Sequence, residues 1–103
     1  MIRNILLLVV VIVAFSPVCS FGMTGKKLKK YADSELDLDR GIFYGYITGV
    51  LDARKNEACL PQGVTNGQIN TVVENYLRDH PDVWHFSADD IVIVAVQKSW
   101  PCQ

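Results

Sequence analysis

The feature that most limits how this chain can fold is its odd number of cysteines, at Cys19, Cys59 and Cys102. Cys19 follows an unbroken apolar run, residues 5–15, whereas the other two lie far down the chain. An odd count leaves one thiol without an internal partner, unless that thiol is removed from the protein. The fate of the N-terminal segment therefore decides whether the cysteines form a matched pair.

The N-terminal segment is typical of a secretory signal peptide, with one basic side chain, Arg3, ahead of the apolar run and Ser16-Pro17 behind it. The run of 11 residues covers about 16 Å as a helix, roughly half of a membrane's hydrocarbon core, so it is too short to span. We predict that residues 1–20 are a signal peptide, cut after Ser20 or after Gly22. Residues 21–103 are then expected to form a single exported domain, with no membrane attachment after cleavage.

Either cut removes Cys19. The alternative is a lipoprotein anchor at Cys19, but residues 16–18 lack the leucine-like and small residues expected before such a cysteine.

In an exported chain the remaining pair, Cys59 and Cys102, is expected to form a disulfide rather than to stay as two free thiols. That bridge would close a loop of about 44 residues, worth about 4 kcal/mol by the chain-entropy model.

Charge and size exclude several classes of protein. Ten basic and eleven acidic side chains give a net charge of −1, whereas a nucleic-acid binder normally has a strongly basic face. The hydrophobic fraction of 50% is too high for a disordered chain. One domain at most fits this length.

Apolar side chains recur at helical spacing after the signal, which predicts an all-α protein, a compact bundle of about four helices held by one disulfide. The first helix is expected over residues 25–33 with Thr24 as N-cap, and the second from Leu38 or Asp39 to Lys55. Thr65 and Gln68 form a capping box at the start of the third. That helix ends at His80-Pro81, and the last one runs from an N-cap at Ser87 to Pro101.

Two further patterns lie on these helices. Gly41, Gly45 and Gly49 recur at every fourth position and each costs a helix about 1 kcal/mol, which suggests close packing of another helix, within the chain or across a dimer. Four lysines at residues 26–30 precede an acidic turn, an arrangement typical of a solvated helix.

The residues do not predict an enzyme, a cofactor or a metal site. His80 and His85 lie on either side of a helix break. Their separation of five residues matches neither the i, i+4 pair of a helical zinc site nor the spacing of a zinc finger. We expect His80 to cap the third helix. Two irregular loops are the candidate protein-binding sites, although Trp84 and Phe86 could instead fold back onto the core. Their candidate contact residues are Leu60, Pro61, Gln62, Trp84, His85 and Phe86.

The order of motifs along the chain resembles the Rap/Tai family of immunity proteins. The motifs are Tyr46-Ile47-Thr48-Gly49 with Asp52, Cys59-Leu60-Pro61-Gln62-Gly63-Val64-Thr65 with Gln68, Tyr76-Leu77 with His80-Pro81, and Trp100-Pro101-Cys102. The resemblance implies an exported helical protein, often dimeric, that inhibits a peptidoglycan amidase delivered by type VI secretion by occluding its active site. Its partner would be that amidase, with a homodimer as a second expected assembly and no nucleic acid.

One departure from the family concerns two further cysteines that its members often carry. The corresponding positions here are Tyr31-Ala32 and Phe43-Tyr44, with no cysteine at either. This supports the pairing of Cys59 with Cys102 and leaves the first helix less firmly attached.

The alternative function is a periplasmic stress or chaperone-like helical protein without a dedicated toxin.

Overall fold

The computed structural model describes residues 22–103. Within this range the chain forms four α-helices: α1 (Gly25–Asp33), α2 (Asp37–Ala53), α3 (Asn66–Asp79) and α4 (Ala88–Ser99). Short 3₁₀ helices occur at Lys55–Glu57 and Pro81–Val83, and the only extended pairing there is an isolated antiparallel bridge between Thr24 and Ser87. The all-α prediction is confirmed. The predicted signal peptide and Cys19 lie outside the described residues.

Two of the predicted helix starts are confirmed in atomic detail. The Thr24 hydroxyl accepts from the Lys27 amide at 3.2 Å. Thr65 accepts from the Gln68 amide at 3.1 Å, and the Gln68 side chain accepts in return from the Thr65 amide at 2.8 Å, which completes the capping box. Each cap satisfies an amide that would otherwise have no partner in the first turn.

The third predicted start differs in its chemistry. Ser87 occupies the N-cap position of α4, but its side chain makes no capping hydrogen bond. Its hydroxyl donates to the carboxylate of Asp89 instead. The residue is therefore held at the helix start by its bridge to Thr24 and by Asp89, and not by the expected bond to the helix backbone.

The second helix begins at Asp37, one or two residues earlier than predicted, and ends at Ala53, two residues earlier than predicted. Its continuation tightens into the 3₁₀ helix Lys55–Glu57. Arg54, at the junction, donates from Nε and Nη2 to the two carboxylate oxygens of Glu57 at 2.7 and 2.8 Å. This fork across three residues favours the narrower turn over another turn of α-helix.

Helix α4 lies at the centre of the molecule and contacts α1, α2 and α3. Its middle segment is buried on nearly all sides. Ile93 is buried there too, although the helical spacing of apolar residues does not place it on the core-facing side. The buried hydrophobic residues, drawn from all four helices, are Leu28, Ala32, Phe43, Ile47, Val50, Leu51, Ile69, Val73, Leu77, Ala88, Ile91, Val92, Ile93, Ala95 and Val96.

The glycine row of α2 does not pack against another helix of this chain. Gly41, Gly45 and Gly49 are exposed, and a methyl group placed on any of them would meet nothing within 4 Å. Close packing within the chain is therefore wrong as an interpretation of this row. The apolar face of α2 packs inward through Phe43, Ile47 and Val50, and the glycines lie on the opposite side.

The first helix is attached to the rest of the protein by backbone contacts, without a second disulfide. The Gly25 amide donates to the Phe86 carbonyl at 2.9 Å, and the Lys26 amide donates to the Trp84 carbonyl at 2.8 Å. The Ala88 amide donates to the Met23 carbonyl at 2.8 Å. These bonds satisfy amides at the starts of both α1 and α4, so each helix end caps the other.

The predicted disulfide between Cys59 and Cys102 is present, with a Cα–Cα separation of 5.2 Å, within the range that such bridges adopt. It joins the segment after α2 to the residues just beyond α4. The Gln97 side chain adds a hydrogen bond to the Glu57 carbonyl at 2.8 Å. The C-terminal end of α4 is therefore fixed beside the loop that leads into α3.

Candidate partner-binding surface

The two candidate loops lie at opposite ends of α3. One connects the end of α2 to the start of α3 and contains residues 60–62, and the other connects α3 to α4 and contains residues 84–86. A helix of 14 residues is about 20 Å long. The structure therefore does not bring the predicted contact residues together into one site.

The loop at residues 60–62 is held on both sides. Cys59 is covalently tied to Cys102, and the Val64 amide donates to the Pro61 carbonyl at 3.2 Å. Gly63 within this turn has a φ of +89°, which favours glycine. Leu60 packs partly against the core, while Pro61 and Gln62 are exposed. The exposed pair is thus a preorganised contact of the kind that loses little entropy on binding.

In the second loop Trp84 folds back onto the protein. Its indole Nε1 donates to the Leu77 carbonyl at 2.7 Å, near the end of α3, and its ring packs against the core. The Lys29 ammonium lies 5.7 Å from the centre of the same ring. Trp84 is therefore mainly a support for the loop, as one of the two sequence interpretations expected.

Phe86 and His85 project from that support. Phe86 keeps 52% of its surface exposed, and its ring lies 4.1 Å from the ring of His85. Beside them an apolar groove of about 320 Å³ runs between α3 and α4. It is lined by Tyr76, Val83, Phe86, Asp90, Ile91 and Val94. An exposed aromatic ring at the edge of an apolar groove is typical of a protein-binding surface.

The two histidines have different surroundings and do not form a pair. His80 is the C-cap residue of α3, and its Nδ1 lies 2.9 Å from the Tyr76 carbonyl, which confirms the predicted capping role. Its ring also stacks on Tyr76 with a centroid distance of 4.0 Å. Within residues 22–103, no group of three or more His, Cys, Asp and Glu side chains could hold a metal ion.

The strongest electrostatic cluster on the described chain joins α2 to α4 through Arg54. Its Nη1 donates to Asp89 and to Asp90 at 2.9 Å each, in addition to the fork on Glu57. The hydrogen bonds from Arg54 hold the pKa of Glu57 below its ordinary value. The pKa of Asp89 is also lowered, first by the Ser87 hydroxyl and then by its backbone and Arg54 contacts. The cluster fixes the first turn of α4, next to the loop at residues 84–86, which we call the aromatic loop.

Sequence analysis missed the residues that hold the aromatic loop in place, Met23 and Gly25. Gly25 is buried, and a methyl group on it would come within 2.4 Å of Ile91 Cδ1 and 3.0 Å of the Trp84 backbone. Gly25 follows the N-cap Thr24 directly, where capping does not require a glycine. Its presence there is the sequence signal that another segment comes close. Sequence analysis also did not assign Val94, which is exposed, to the groove beside Phe86.

The fold and this surface define a small, disulfide-linked helical protein whose distinctive features are exposed, well-supported loops. In the part of the chain that the structure describes, no helix is long and apolar enough to cross a membrane. The sequence profile of the Rap1a immunity proteins matches residues 17–102, and the chain belongs to this family. Comparison with curated proteins and with solved structures finds no match. Membership makes the protein an immunity protein, a class that acts against a toxin effector by binding it and is generally not enzymatic.

Proposed function

We propose that this chain is a periplasmic immunity protein that binds a peptidoglycan amidase delivered by type VI secretion and occludes its active site. The family match supports the class of activity. The single observation that carries the proposal is Phe86, which stays about half exposed although the backbone around it is held by hydrogen bonds to α1. An apolar ring held in this way offers a partner burial at little entropic cost.

Two separate contacts follow from the positions of the loops. His85 and Phe86, supported by Trp84, form one, and Pro61 and Gln62, supported by Leu60, form the other, about 20 Å away along α3. Surfaces this far apart still fall within one standard interface, which buries about 800 Å² on each partner. We propose that one loop enters the catalytic cleft and that the other contacts its rim.

The test uses the mature chain and an amidase encoded by a neighbouring gene. Affinity is measured by calorimetry, and inhibition is measured as the rate of peptidoglycan peptide release. Phe86→Ser is expected to weaken binding at least tenfold, which corresponds to about 1.4 kcal/mol. The matched control is Leu38→Ser, which removes another exposed apolar side chain, in the first turn of α2.

The proposal fails if the wild-type chain neither binds nor inhibits such an amidase, and if it does not protect cells that express the toxin in the periplasm. The choice of Phe86 fails separately, if Phe86→Ser and Leu38→Ser bind with the same affinity as the wild type.

Export is part of the proposal. Cleavage after Ser20 or after Gly22 would leave Phe21 or Met23 as the first residue, and both cuts keep the contact from Met23 to Ala88. Intact mass of protein isolated from the periplasm distinguishes the two. A chain retained in the cytoplasm with Met1 present would contradict the proposal.

We further propose a homodimer formed through the exposed glycine row of α2. The face around Gly45 has open space and carries no charged residue between Arg40 and Asp52, so two helices could approach closely there. Gly45→Arg should convert the dimer into a monomer in analytical ultracentrifugation, whereas the exposed substitution Gln62→Arg should not. A wild-type chain that sediments as a monomer at high micromolar concentration would exclude the dimer.

The alternative function, a stress or chaperone-like protein, is favoured by one observation. Leu36 and Leu38, at the turn between α1 and α2, are 66% and 76% exposed, and exposed apolar side chains can bind unfolded chains. Suppression of the aggregation of unrelated proteins at low pH would support this function. Binding to one partner only would count against it.

A further inference from the structure

Positive charge is distributed very unevenly over this protein. Residues 22–103 carry nine basic and eleven acidic side chains, because Arg3 is the only charged residue before them. Four of the nine basic residues, Lys26, Lys27, Lys29 and Lys30, lie in α1, and Asp33 is the only acidic residue of that helix. The rest of the described chain therefore has five basic side chains against ten acidic ones.

The fold places these four lysines on one outer face. Leu28, Ala32 and Gly25 of α1 are buried, so the remaining arc of the helix faces outward. Lys26, Lys27 and Lys30 are exposed, and Lys29 is partly covered because it pairs with Asp33 and lies over the ring of Trp84. We refer to these four lysines, together with Trp84, as the lysine surface.

The lysine surface adjoins the aromatic loop directly. A broad depression of about 530 Å³ is lined by the four lysines, Thr24, Asp33 and Trp84. Its edge is the segment in which the Lys26 amide bonds to the Trp84 carbonyl and the Gly25 amide bonds to the Phe86 carbonyl. Trp84 thus faces the lysines on one side of the loop, while Phe86 faces the apolar groove on the other.

We infer that the lysine surface is the electrostatic part of the partner-binding site and that it docks against a carboxylate-rich surface of the partner protein. The inference rests on the proposed function, since it names the chemistry of the partner that contacts the same loop. Asp33 offsets one of the four lysine charges, so a net charge of about +3 would attract an acidic partner over about a Debye length and orient it before Phe86, across the loop, is buried.

The acidic residues next to this surface favour a protein over a membrane or a nucleic acid. Glu35 follows Asp33 in the turn after α1, and Asp37 and Asp39 lie in the first turn of α2. Since α1 has 9 residues and is about 14 Å long, an extended sheet or rod of negative charge lying along this helix would reach from the lysines to these carboxylates and be repelled by them. A local cluster of carboxylates on a folded protein can contact the lysines alone.

The first experiment needs no identified partner. In a Trp100→Phe background, Trp84 is the only tryptophan in the chain, and its fluorescence is titrated with poly-L-glutamate. We expect a saturable change that salt weakens, reduced at least fivefold in apparent affinity by Lys26→Gln/Lys30→Gln. The charge-matched control, Lys55→Gln/Arg78→Gln, should reduce the affinity less than twofold. Equal loss in both double variants would overturn the inference.

The second experiment measures association with the amidase. Lys26→Gln/Lys30→Gln should lower the association rate about tenfold in 50 mM salt and flatten its salt dependence, with a dissociation rate changed less than twofold. If the wild-type chain binds no amidase, the proposed function fails, and the titration with poly-L-glutamate still decides the inference. If the amidase binds both double variants equally, the inference fails and the proposed function stands.

Two further probes identify a different class of partner. Vesicles containing phosphatidylglycerol and a 20-base single-stranded DNA are titrated under the same conditions. Binding of either one more tightly than poly-L-glutamate, with the same dependence on Lys26 and Lys30, would overturn the assignment to a protein partner.

Discussion

Gly25→Ala should destabilise this protein, whereas the same substitution at Gly45 should stabilise it. Both glycines lie in helices, and neither has a positive φ, so the backbone tolerates alanine at each. The difference lies in the space around them. A methyl group at Gly45 would meet nothing within 4 Å, while one at Gly25 would come within 3.0 Å of the Trp84 Cα and carbonyl oxygen.

The magnitude follows from what can move. Ile91 Cδ1, 2.4 Å from the added methyl group, is the end of a flexible side chain and can rotate away at small cost. The Trp84 backbone can shift only by lengthening the bonds from the Gly25 and Lys26 amides, at 2.9 and 2.8 Å. Overpacking costs about 1–3 kcal/mol, and each weakened hydrogen bond adds about 1 kcal/mol. After the gain in helix propensity, we expect a net loss of about 2 kcal/mol for Gly25→Ala.

Gly45→Ala gains only helix propensity, up to about 1 kcal/mol. The two variants should therefore differ by about 3 kcal/mol in urea unfolding, with midpoint temperatures about 10 °C below and up to about 5 °C above the wild type. Each variant is measured at two protein concentrations, because a dimer through the glycine row would make the Gly45→Ala midpoint depend on concentration. An increase in stability for Gly25→Ala equal to that for Gly45→Ala would refute the reasoning.

Three other predictions concern stability. Cys59→Ala/Cys102→Ala should lower the free energy of unfolding by about 4 kcal/mol, since both cysteines are exposed and leave no cavity; urea unfolding of the reduced wild type should match it, and an unchanged midpoint would contradict the chain-entropy argument. Trp84→Phe should cost about 1–3 kcal/mol because the Leu77 carbonyl loses its 2.7 Å donor, with hydrogen exchange at the Phe86 amide as the measurement and no acceleration as the contrary result. Folding lowers the pKa of Glu57 and of Asp89, which stabilises the folded state at every pH above the ordinary carboxyl pKa. This stabilisation is lost as the pH falls below about 5 and through the lowered pKa values. Arg54→Gln removes the main cause of the lowered pKa at Glu57 and a smaller one at Asp89, so it should show a weaker loss of stability with acid than the wild type, and parallel pH profiles would rule this out.

The helices could be predicted from the sequence because their signals are local. Thr24 and the pair Thr65 and Gln68 mark helix starts through bonds within one turn, and the structure has those bonds. His80-Pro81 marks an end in the same way. The pairing of Cys59 with Cys102 was equally accessible, since only two cysteines remain once Cys19 is set aside.

Contacts between distant residues were not accessible in this way. A glycine inside a helix suggests a point of close approach, and the recurrence of Gly41, Gly45 and Gly49 in register predicts that point on α2. The close approach occurs instead at Gly25, where one glycine meets the Trp84 backbone 59 residues along the chain. Periodicity describes a single helix face and carries no information about which partner covers it.

The burial of α4 limits where a partner can bind. Six of its residues, Ala88, Ile91, Val92, Ile93, Ala95 and Val96, are buried, so this helix contributes little more than Val94 to any apolar contact. α2 presents Gly41, Gly45 and Gly49 on its outer face, with the large exposed side chains of Leu38 and Tyr44 nearer its start. The other exposed features of the described chain are the two supported loops, the lysine surface, and Leu36 and Leu38 between α1 and α2. The lysine surface and Phe86 lie on two sides of one loop, which the Gly25 and Lys26 amides hold to α1, so a partner that covers this loop contacts both. Charge reversal on α1 should therefore impair toxin binding more than charge reversal anywhere else on the described surface.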